Sequence, residues 1–384
     1  MNNKIKVLHI ANGDDCLGSA QCLYEILNYE LNTEDIEPIL LTPKYTKMNE
    51  FCDEKGIENY SSKYCGFMYP MHDKSAKIKF FLRKIEYFFY NVNTVKKISK
   101  LIDFNNIDVI HTNNSLNDIG AKLSFKYSKV HFWHLREGGL YPQNLRPYFK
   151  GFASYMTKGH PYFIAVSNSV KNEWIKLGIP GKLINVIYDG VDLPREIYLK
   201  HTSDKVRFVM TGAYSEIKGQ IQVIKAVSGL SEDLKKKIKI DFWGNGVPEY
   251  VDFLESEIKR KGLSEIIHLK GFTRNVWETL SHYDVGLNCT RQEAFGRTTV
   301  EFLISGMPVI ASNLGANVEL INKTNGIFYE YNNVDELRKS IIYMIDHIDE
   351  YKSDDISSVA KEIHSSDISN MNIVSYFRKV VREN

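Results

Sequence analysis

Long apolar runs, metal-type cysteine spacings and a strong charge of one sign are all missing from this sequence. No stretch of about 18 apolar residues occurs in it, so no membrane-spanning helix is predicted. The formal net charge is only +2, which gives no overall field to attract nucleic acid. The five cysteines lack the paired spacing of a metal site and indicate reduced, structural thiols. These absences favour a cytoplasmic protein that binds neither nucleic acid nor a metal.

What is present is an alternation of short β-branched runs with longer helical patterns. The 384 residues are enough for two domains of roughly 150–200 residues each. The first residues lead almost directly into a strand pattern, with no secretory signal before it. Strands are predicted at KIKVLHIA, IEPILLT, IDVIHT, KVHFWHL, YFIAVS, LINVIY, RFVMTG, KIKIDFWG, IIHLKG, YDVGLNC and MPVIAS. Helices are predicted between many of them, for example at 19–31, 168–177, 217–228, 249–261 and 299–305.

This alternation predicts an α/β protein with two Rossmann-like parallel-sheet domains. The polar stretch 189–205 carries a proline and breaks the pattern, so we interpret it as the interdomain linker. The predicted domains are 1–192 and 193–366, and a C-terminal helix at about 367–384 is expected to pack back on the first domain. Ligands of open parallel sheets bind beyond the carboxyl ends of the strands, so we expect the two domains to face a central cleft.

The stretch RQEAFGRTTVEFLI places two carboxylates around the start of a predicted helix. Glu293 and Glu301 stand with seven residues between them, and Thr298 or Thr299 is the expected N-cap. A helix N-terminus suits phosphate, and Gly296 would let an anion approach the backbone closely. A carboxylate accepts two hydrogen bonds side by side, which matches a vicinal diol such as a ribose. The pattern therefore predicts a site for sugar, diphosphate and ribose.

EAFGRTTVE, followed by SGMPVIAS and a later Glu319, resembles the signature of glycosyltransferase family 4. The resemblance covers most of the chain, since TGAYSEIKGQIQVIKAV is similar to the start of that family's second domain. NVIYDGVD is similar to the end of its first domain, although the family often has Asn where Asp189 stands. The resemblance implies the GT-B fold. It also implies a retaining, metal-independent transfer from a nucleoside diphosphate sugar, with no other cofactor.

The resemblance also implies roles for individual residues. Glu301 would hold the ribose hydroxyls, and Lys218 would contact the diphosphate as a point charge. Glu293, with the backbone around Phe295 and Gly296, would face the donor sugar and the phosphates. The nucleoside and donor pocket would further include Gly244, Gly246, Phe272 and Thr298.

One position departs from the family pattern. Many members carry an arginine shortly after the first strand of the second domain, where this chain has Ala213. Arg297, and with it Arg291, is the candidate to replace that guanidinium. The identity of the second cation stays open between these two residues.

In the first domain, LGSAQCLYEIL resembles the family's glycine-containing loop that opens the first helix. Gly18 would then lie beneath the donor phosphates or beside the acceptor. His134, at the end of the strand HFWHL, matches a histidine that lies close to the transferred sugar in many members, and His111 is the competing choice. Arg136 and Glu137 follow, with an ordinary ion pair as the simplest interpretation.

The segment 72–103 is basic and aromatic. Its apolar residues fall largely on one helical face, at Ile78, Phe81, Leu82, Ile85, Phe88 and Phe89. Such a helix, predicted at 74–90, either covers the first domain or lies on an anionic membrane. The family's frequent use of lipid-linked acceptors adds weight to contact with the inner face of the cell membrane, and both interpretations stay open.

The inferred reaction is transfer of a hexosyl or N-acetylhexosaminyl group to an acceptor hydroxyl in the synthesis of a surface polysaccharide or glycoconjugate. We expect UDP-sugars rather than GDP-sugars as donors. No carboxylate stands out as a nucleophile, so front-face attack is favoured, with His134 orienting the sugar. Two alternatives stay open: a nucleotide-sugar 2-epimerase on the same architecture, and a non-catalytic sugar-nucleotide-binding protein.

Overall fold

The computed structural model describes residues 4–12, 18–71, 76–140, 144–194 and 203–383. The chain divides into two compact units. Unit 1 comprises Met1–Gly190 and Ser366–Asn384, and unit 2 comprises Val191–Ser365. The N-terminal part of the predicted linker lies across this division, and positions 195–202 of it fall outside the described residues.

Unit 1 is built on a parallel sheet. Its strands are β1 (Ile5–Ile10), β2 (Ile36–Thr42), β3 (Glu58–Ser61), β4 (Met68–Pro70), β5 (Val109–Thr112), β6 (Val130–Leu135), β7 (Leu145–Pro147), β8 (Tyr162–Ala165) and β9 (Ile184–Val186). Seven of them form one sheet in the order β3-β2-β1-β5-β6-β8-β9, and β4 pairs with β7 in an antiparallel ribbon. The helices of its N-terminal segment are α1 (Gly18–Leu31), α2 (Lys47–Lys55), α3 (Ala76–Leu101), α4 (Ile119–Tyr127), α5 (Phe152–Met156) and α6 (Asn168–Lys176).

Unit 2 repeats this plan with a six-stranded sheet. Its strands are β10 (Val206–Thr211), β11 (Ile238–Trp243), β12 (Ile267–Gly271), β13 (Val285–Asn288), β14 (Val309–Ser312) and β15 (Gly326–Tyr329). They lie parallel in the order β12-β11-β10-β13-β14-β15. The helices are α7 (Gln220–Ser228), α8 (Glu232–Lys236), α9 (Pro248–Arg260), α10 (Val276–Leu280), α11 (Arg297–Ile304), α12 (Asn317–Leu320), α13 (Val334–His347) and α14 (Ser353–His364). The last helix, α15 (Ser366–Glu383), returns to unit 1.

The sheets are sandwiched by apolar layers that follow from the alternation of side chains along each strand. On β1, Leu8 and Ile10 face a core shared with α3 and α4. Val7 faces the opposite core, which Ile26 of α1 and Phe377 of α15 complete. Helix α15 is therefore part of the hydrophobic core of unit 1, although it follows unit 2 in the chain.

The predicted α/β fold with two Rossmann-like domains is confirmed, and all eleven predicted strand runs are strands. The helix expected at 217–228 is interrupted. A 3-10 turn over Glu216–Lys218 ends at Gly219, where φ is +84°, and α7 begins only after it. The basic helix is longer than predicted and runs unbroken to Leu101. No helix among the described residues combines the length and apolarity needed to cross a bilayer.

Three histidines on the central strands of unit 1 are buried and resist protonation. Burial lowers the pKa of His131 from its ordinary 6.5 to about 3. Burial also holds the pKa values of His111 and His134 well below that value, and the neighbouring histidines and Arg136 act in the same direction. The folded protein therefore binds fewer protons than the unfolded chain once the pH falls below 6.5.

We predict that stability falls as the pH drops below about 6.5, by about 1.4 kcal/mol per pH unit for each such ring. The sign follows because stability rises with pH wherever the unfolded state binds more protons. Urea unfolding at pH 7.5, 6 and 5 measures the effect. His131→Gln, which keeps an amide near the Thr112 hydroxyl, should flatten the slope by about one proton. Equal stability at pH 7.5 and 5 would contradict the prediction.

Candidate active site

The predicted site residues of unit 2 meet at the point where the order of its sheet reverses. Strand β10 pairs with β11 on one side and with β13 on the other, so the loops after β10 and β13 leave the same sheet edge side by side. Two hydrogen bonds join these loops. The Arg291 N–H donates to the Ile217 carbonyl at 2.8 Å, and the Thr290 hydroxyl donates to the same oxygen at 3.3 Å.

The contact between the two loops brings Lys218 to Glu293. The Lys218 Nζ lies 3.3 Å from Glu293 Oε2, and both side chains are largely buried, at 28% and 14% exposure. Gly219 makes this approach possible. A Cβ on Gly219 would stand 2.2 Å from the Cys289 carbonyl oxygen, so no larger residue fits there without moving a loop.

The backbone of Glu293 is held by the loop after β14. The Ala316 N–H donates to the Glu293 carbonyl at 2.8 Å. Gly315, at φ +62°, packs against the same peptide, because a Cβ there would stand 2.4 Å from the Glu293 carbonyl oxygen. Sequence reasoning missed this support, whose only signal was the Gly-Ala pair after SGMPVIAS.

Helix α11 carries the second ion pair of the site. The Arg297 Nε lies 3.4 Å from Glu301 Oε1, one turn further along the helix, with exposures of 23% and 13%. The prediction that Thr298 or Thr299 is the N-cap is wrong. Gly296 is the N-cap, at φ +95°, and the helix begins at Arg297.

Thr299 points inward because its hydroxyl is hydrogen-bonded to the buried side-chain amides of Asn288 and Asn317. Asn288 Nδ2 donates to Thr299 Oγ1 at 2.6 Å, and that hydroxyl donates to Asn317 Oδ1 at 3.1 Å. The Ser312 hydroxyl donates to the Thr290 carbonyl at 2.7 Å. These buried bonds tie the ends of β13 and β14 to the first turn of α11, so they fix where the helix starts.

The predicted nucleoside pocket lies at the ends of β10, β11 and β12. A Cβ on Gly244 would stand 1.8 Å from the Gly212 carbonyl oxygen, and a Cβ on Gly246 would stand 2.7 Å from the Tyr214 carbonyl oxygen. The packing of these loops against each other therefore explains both small residues without a ligand. Phe272, directly after β12, is 67% exposed and leaves an aromatic face at this edge.

The remaining predicted donor residues differ in accessibility. Phe295 is buried, with its ring centroid 6.1 Å from that of His364, so only its backbone could meet a ligand. Thr298 is half-buried and Arg291 is exposed. In unit 1, Gly18 is exposed at the start of α1, and a Cβ there would meet nothing within 4 Å.

His134 and His111 lie together in the interior of unit 1. His111 Nε2 is 3.1 Å from His134 Nδ1, and both rings are fully buried. The expected ion pair between Arg136 and Glu137 is not formed. Arg136 Nη1 instead donates to Asp189 Oδ2, and His134 Nε2 lies 3.9 Å from Asp189 Oδ1.

This arrangement gives unit 2 two cation–carboxylate pairs and a helix N-terminus at one sheet edge. An incoming anion could take Lys218 and Arg297 from their carboxylates, and the released carboxylates could then accept bonds from hydroxyls. Within the described ranges, no group of histidine, cysteine and carboxylate side chains is arranged to hold a metal ion.

Two family models match the chain. The model described as "Glycosyl transferases group 1" covers residues 197–361, and that described as "Glycosyltransferase Family 4" covers residues 30–195. An uncharacterized glycosyltransferase of Methanocaldococcus jannaschii is 28% identical over 69% of this chain and 73% of its own length. A poly(glycerol-phosphate) alpha-glucosyltransferase of Bacillus subtilis is 26% identical over 37% of this chain, which is 21% of that longer protein.

Among solved structures, the HepE protein of Anabaena in complex with UDP superposes with a TM-score of 0.77 at 17% identity. The match covers 98% of this chain and 100% of that one. Fold and family models together define a glycosyltransferase of the GT-B type. The chain belongs to glycosyltransferase family 4, as the resemblance of its motifs implied.

Gly219→Ala should destabilise the protein more than Gly262→Ala. Both glycines have positive φ, but a Cβ on Gly262 meets nothing within 4 Å, so Gly262→Ala measures backbone strain alone. The clash with the Cys289 carbonyl should add about 1–3 kcal/mol of overpacking cost. Urea unfolding of the two variants gives the difference. Equal losses would mean that Gly219 does not hold the two loops together.

Proposed function

We propose that the protein transfers a sugar from a nucleoside diphosphate sugar to an acceptor hydroxyl with retention of configuration. The observation that carries this proposal is the meeting of Lys218, Glu293, Arg297 and Glu301 at the switch point of unit 2. In the free protein, Lys218 balances the charge of Glu293, and Arg297 balances that of Glu301. A diphosphate would bind both cations and leave the carboxylates for the hydroxyls of the sugar and the ribose.

Charge separation in the reaction matches this site. Breaking the glycosidic bond places negative charge on the diphosphate, which Lys218, Arg297 and the N-terminus of α11 would stabilise as it develops. The site supplies these positive charges itself, so we propose that the reaction needs no metal. Glu301 would hold the ribose hydroxyls, and Glu293 would face the sugar.

Retention is best explained by front-face attack, with the leaving phosphate accepting the proton of the acceptor hydroxyl. Glu293 is proposed to accept bonds from the sugar hydroxyls once Lys218 binds the diphosphate. No carboxylate in the sequence stands out as a nucleophile. His134, held neutral in the core, would orient the sugar rather than act as a base.

UDP is the proposed nucleotide. The similar Anabaena structure was solved with UDP, and the exposed Phe272 would offer its ring to a base. The Bacillus relative is a glucosyltransferase that acts on poly(glycerol-phosphate), which supports a hexosyl group and an acceptor in a surface polymer or glycoconjugate.

A screen of UDP- and GDP-sugars by thermal shift, followed by assay of the best donor, tests this function. We predict that Lys218→Ala lowers kcat about a hundredfold or more while donor affinity falls less, because leaving-group charge peaks in the transition state. Lys225→Ala, an exposed lysine on α7, is the control. Arg297→Ala and Arg291→Ala show which guanidinium serves the diphosphate.

Three outcomes would contradict the proposal. Turnover of a nucleotide sugar to its epimer without acceptor would indicate a 2-epimerase. Donor binding without hydrolysis or transfer would indicate a binding protein. Equal behaviour of Lys218→Ala and Lys225→Ala would remove the diphosphate role of Lys218.

The acceptor is proposed to be lipid-linked, because α3 presents an apolar face to solvent. Ile78, Phe81 and Phe89 are 70%, 63% and 74% exposed. At about 3.6 residues per turn these side chains lie opposite the buried Ala76 and Tyr87. Basic residues flank the apolar stripe on both sides, at Lys77 and Lys84 on one and at Lys79 and Arg83 on the other.

The orientation of α3 is set by a buried polar contact. The Tyr87 hydroxyl donates to Asp118 Oδ2 at 2.6 Å, and Tyr155 of α5 donates to the same oxygen at 2.8 Å. Lys122 lies 2.9 Å from that oxygen. This contact holds the helix with its aromatic stripe outward, as a surface for an anionic bilayer requires.

Flotation with liposomes tests the membrane contact. Binding should require anionic lipid and fade with salt, because each lysine contributes roughly 1 kcal/mol near such a surface. Glutamine at Lys77, Lys79, Arg83 and Lys84 should abolish flotation and leave donor binding intact. Glutamine at Lys236, Lys237, Lys259 and Lys339 of unit 2 removes the same charge and should leave flotation intact. Equal recovery from neutral and anionic liposomes would contradict the proposal.

A further inference from the structure

A row of buried ionisable side chains crosses the sheet of unit 1. His9 on β1, His111 on β5 and His134 on β6 are 0% exposed, as is Glu30 of α1. His9 Nε2 lies 2.7 Å from Glu30 Oε2, and His9 Nδ1 lies 2.9 Å from His111 Nδ1. His111 Nε2 continues the row to His134 Nδ1 at 3.1 Å. Three imidazoles and a carboxyl group thus form one continuous hydrogen-bonded chain.

Apolar packing excludes water from this row of side chains. The Phe377 ring of α15 lies over His111 and His9, with centroids 5.5 and 6.4 Å away. A buried imidazole in such surroundings stays neutral, and the lowered pKa values of His111 and His134 agree with this. Each of these two rings therefore carries one N–H, on either Nδ1 or Nε2.

The contact with Arg136 indicates which nitrogen of His134 carries the proton. A guanidinium can only donate, and Arg136 Nη2 lies 3.4 Å from His134 Nδ1, so that nitrogen accepts. The proton of His134 is then on Nε2, which has no hydrogen-bond partner in the structure and lies 3.9 Å from the acceptor Asp189 Oδ1. Arg136 and Asp189 thus both favour the Nε2–H tautomer of His134.

The remaining protons follow from this one. His111 must donate from Nε2 to His134 Nδ1, so its Nδ1 accepts from His9 Nδ1–H. One further proton is then shared by His9 Nε2 and Glu30 Oε2, either as an imidazolium–carboxylate pair or as a neutral pair. Both imidazole–imidazole hydrogen bonds therefore point from His9 towards His134.

We propose that Glu30, His9 and His111 are positioning residues that hold His134 in the Nε2–H tautomer that Arg136 favours. The row then ends in a buried Nε2–H of fixed direction that lies beside Asp189, near the carboxyl end of β6. The proposal rests on the proposed function only in assigning His134 to the transferred sugar. It adds that the N–H of His134 has a fixed direction, and that the distant Glu30 supports the order of hydrogen bonds that Arg136 favours.

Nitrogen-15 NMR of protein labelled at histidine tests the tautomers without any activity assay. Signals are assigned with single His→Gln variants. We expect His134 and His111 to be protonated at Nε2 and His9 at Nδ1. An Nδ1–H on His134, or averaging between its two tautomers, would overturn the proposal. The NMR result tests the tautomer assignment independently of whether the protein transfers a sugar.

Two matched pairs of variants separate polarity from packing. The amide in His111→Gln carries a donor and an acceptor, whereas His111→Phe keeps a ring and carries neither. We expect His111→Phe to lower kcat about tenfold or more with little change in donor KM, and His111→Gln to stay within about threefold of the unaltered protein. A space-filling role predicts that the Phe variant does at least as well as the Gln variant, which would overturn the proposal.

Glu30→Gln and Glu30→Leu repeat the comparison at the far end of the row, should His111→Phe not fold. The Gln amide can donate to His9 Nε2 and so keep the direction of the hydrogen bonds in the row, whereas Leu cannot donate. His134 should keep its Nε2–H signal in Glu30→Gln and lose the single tautomer in Glu30→Leu. Identical spectra for both variants would overturn the role of Glu30.

Discussion

The parallel pairing of β10 with β13 is the constraint on which the candidate site depends. It sends the loops after these two strands out of the same sheet edge, where the Ile217 carbonyl joins them. Lys218 and Glu293 lie 75 positions apart in the sequence, and they meet only because of this pairing. Gly219 and Gly315 then let the backbones approach closely enough for the ion pair to form. The chemistry of unit 2 therefore follows from strand order and two small residues.

The two units use the edges of their sheets differently. In unit 2, opposite charges are paired at partly exposed positions, where a charged ligand can exchange with them. In unit 1, the corresponding strands carry a row of buried imidazoles that ends beside Arg136 and Asp189. The first arrangement suits binding of a diphosphate. The second suits a donor of fixed direction, because reversing a buried row of hydrogen bonds would leave polar groups unpaired.

Strands with continuous β-branched runs were predictable from the sequence, whereas only the family resemblance implied that Lys218 and Glu293 serve one site. The edge strands β3 and β15 were missed, since ENYS is short and polar and GIFY contains a glycine. The start of α11 was misplaced because Thr299 has a good N-cap side chain, but Asn288 and Asn317 bind it inside the protein. The histidine row was beyond sequence reasoning, because its members meet only through the register of β1, β5 and β6.

The most direct test of the central claim is the affinity for UDP, measured by calorimetry in the unaltered protein and in Glu301→Ala. Removing charge-assisted bonds to the ribose should weaken binding by about 1–3 kcal/mol. Glu255→Ala, an exposed glutamate on α9 of the same unit, should bind as the unaltered protein does. Unchanged affinity in Glu301→Ala, or an equal loss in both variants, would contradict a nucleotide site at the start of α11.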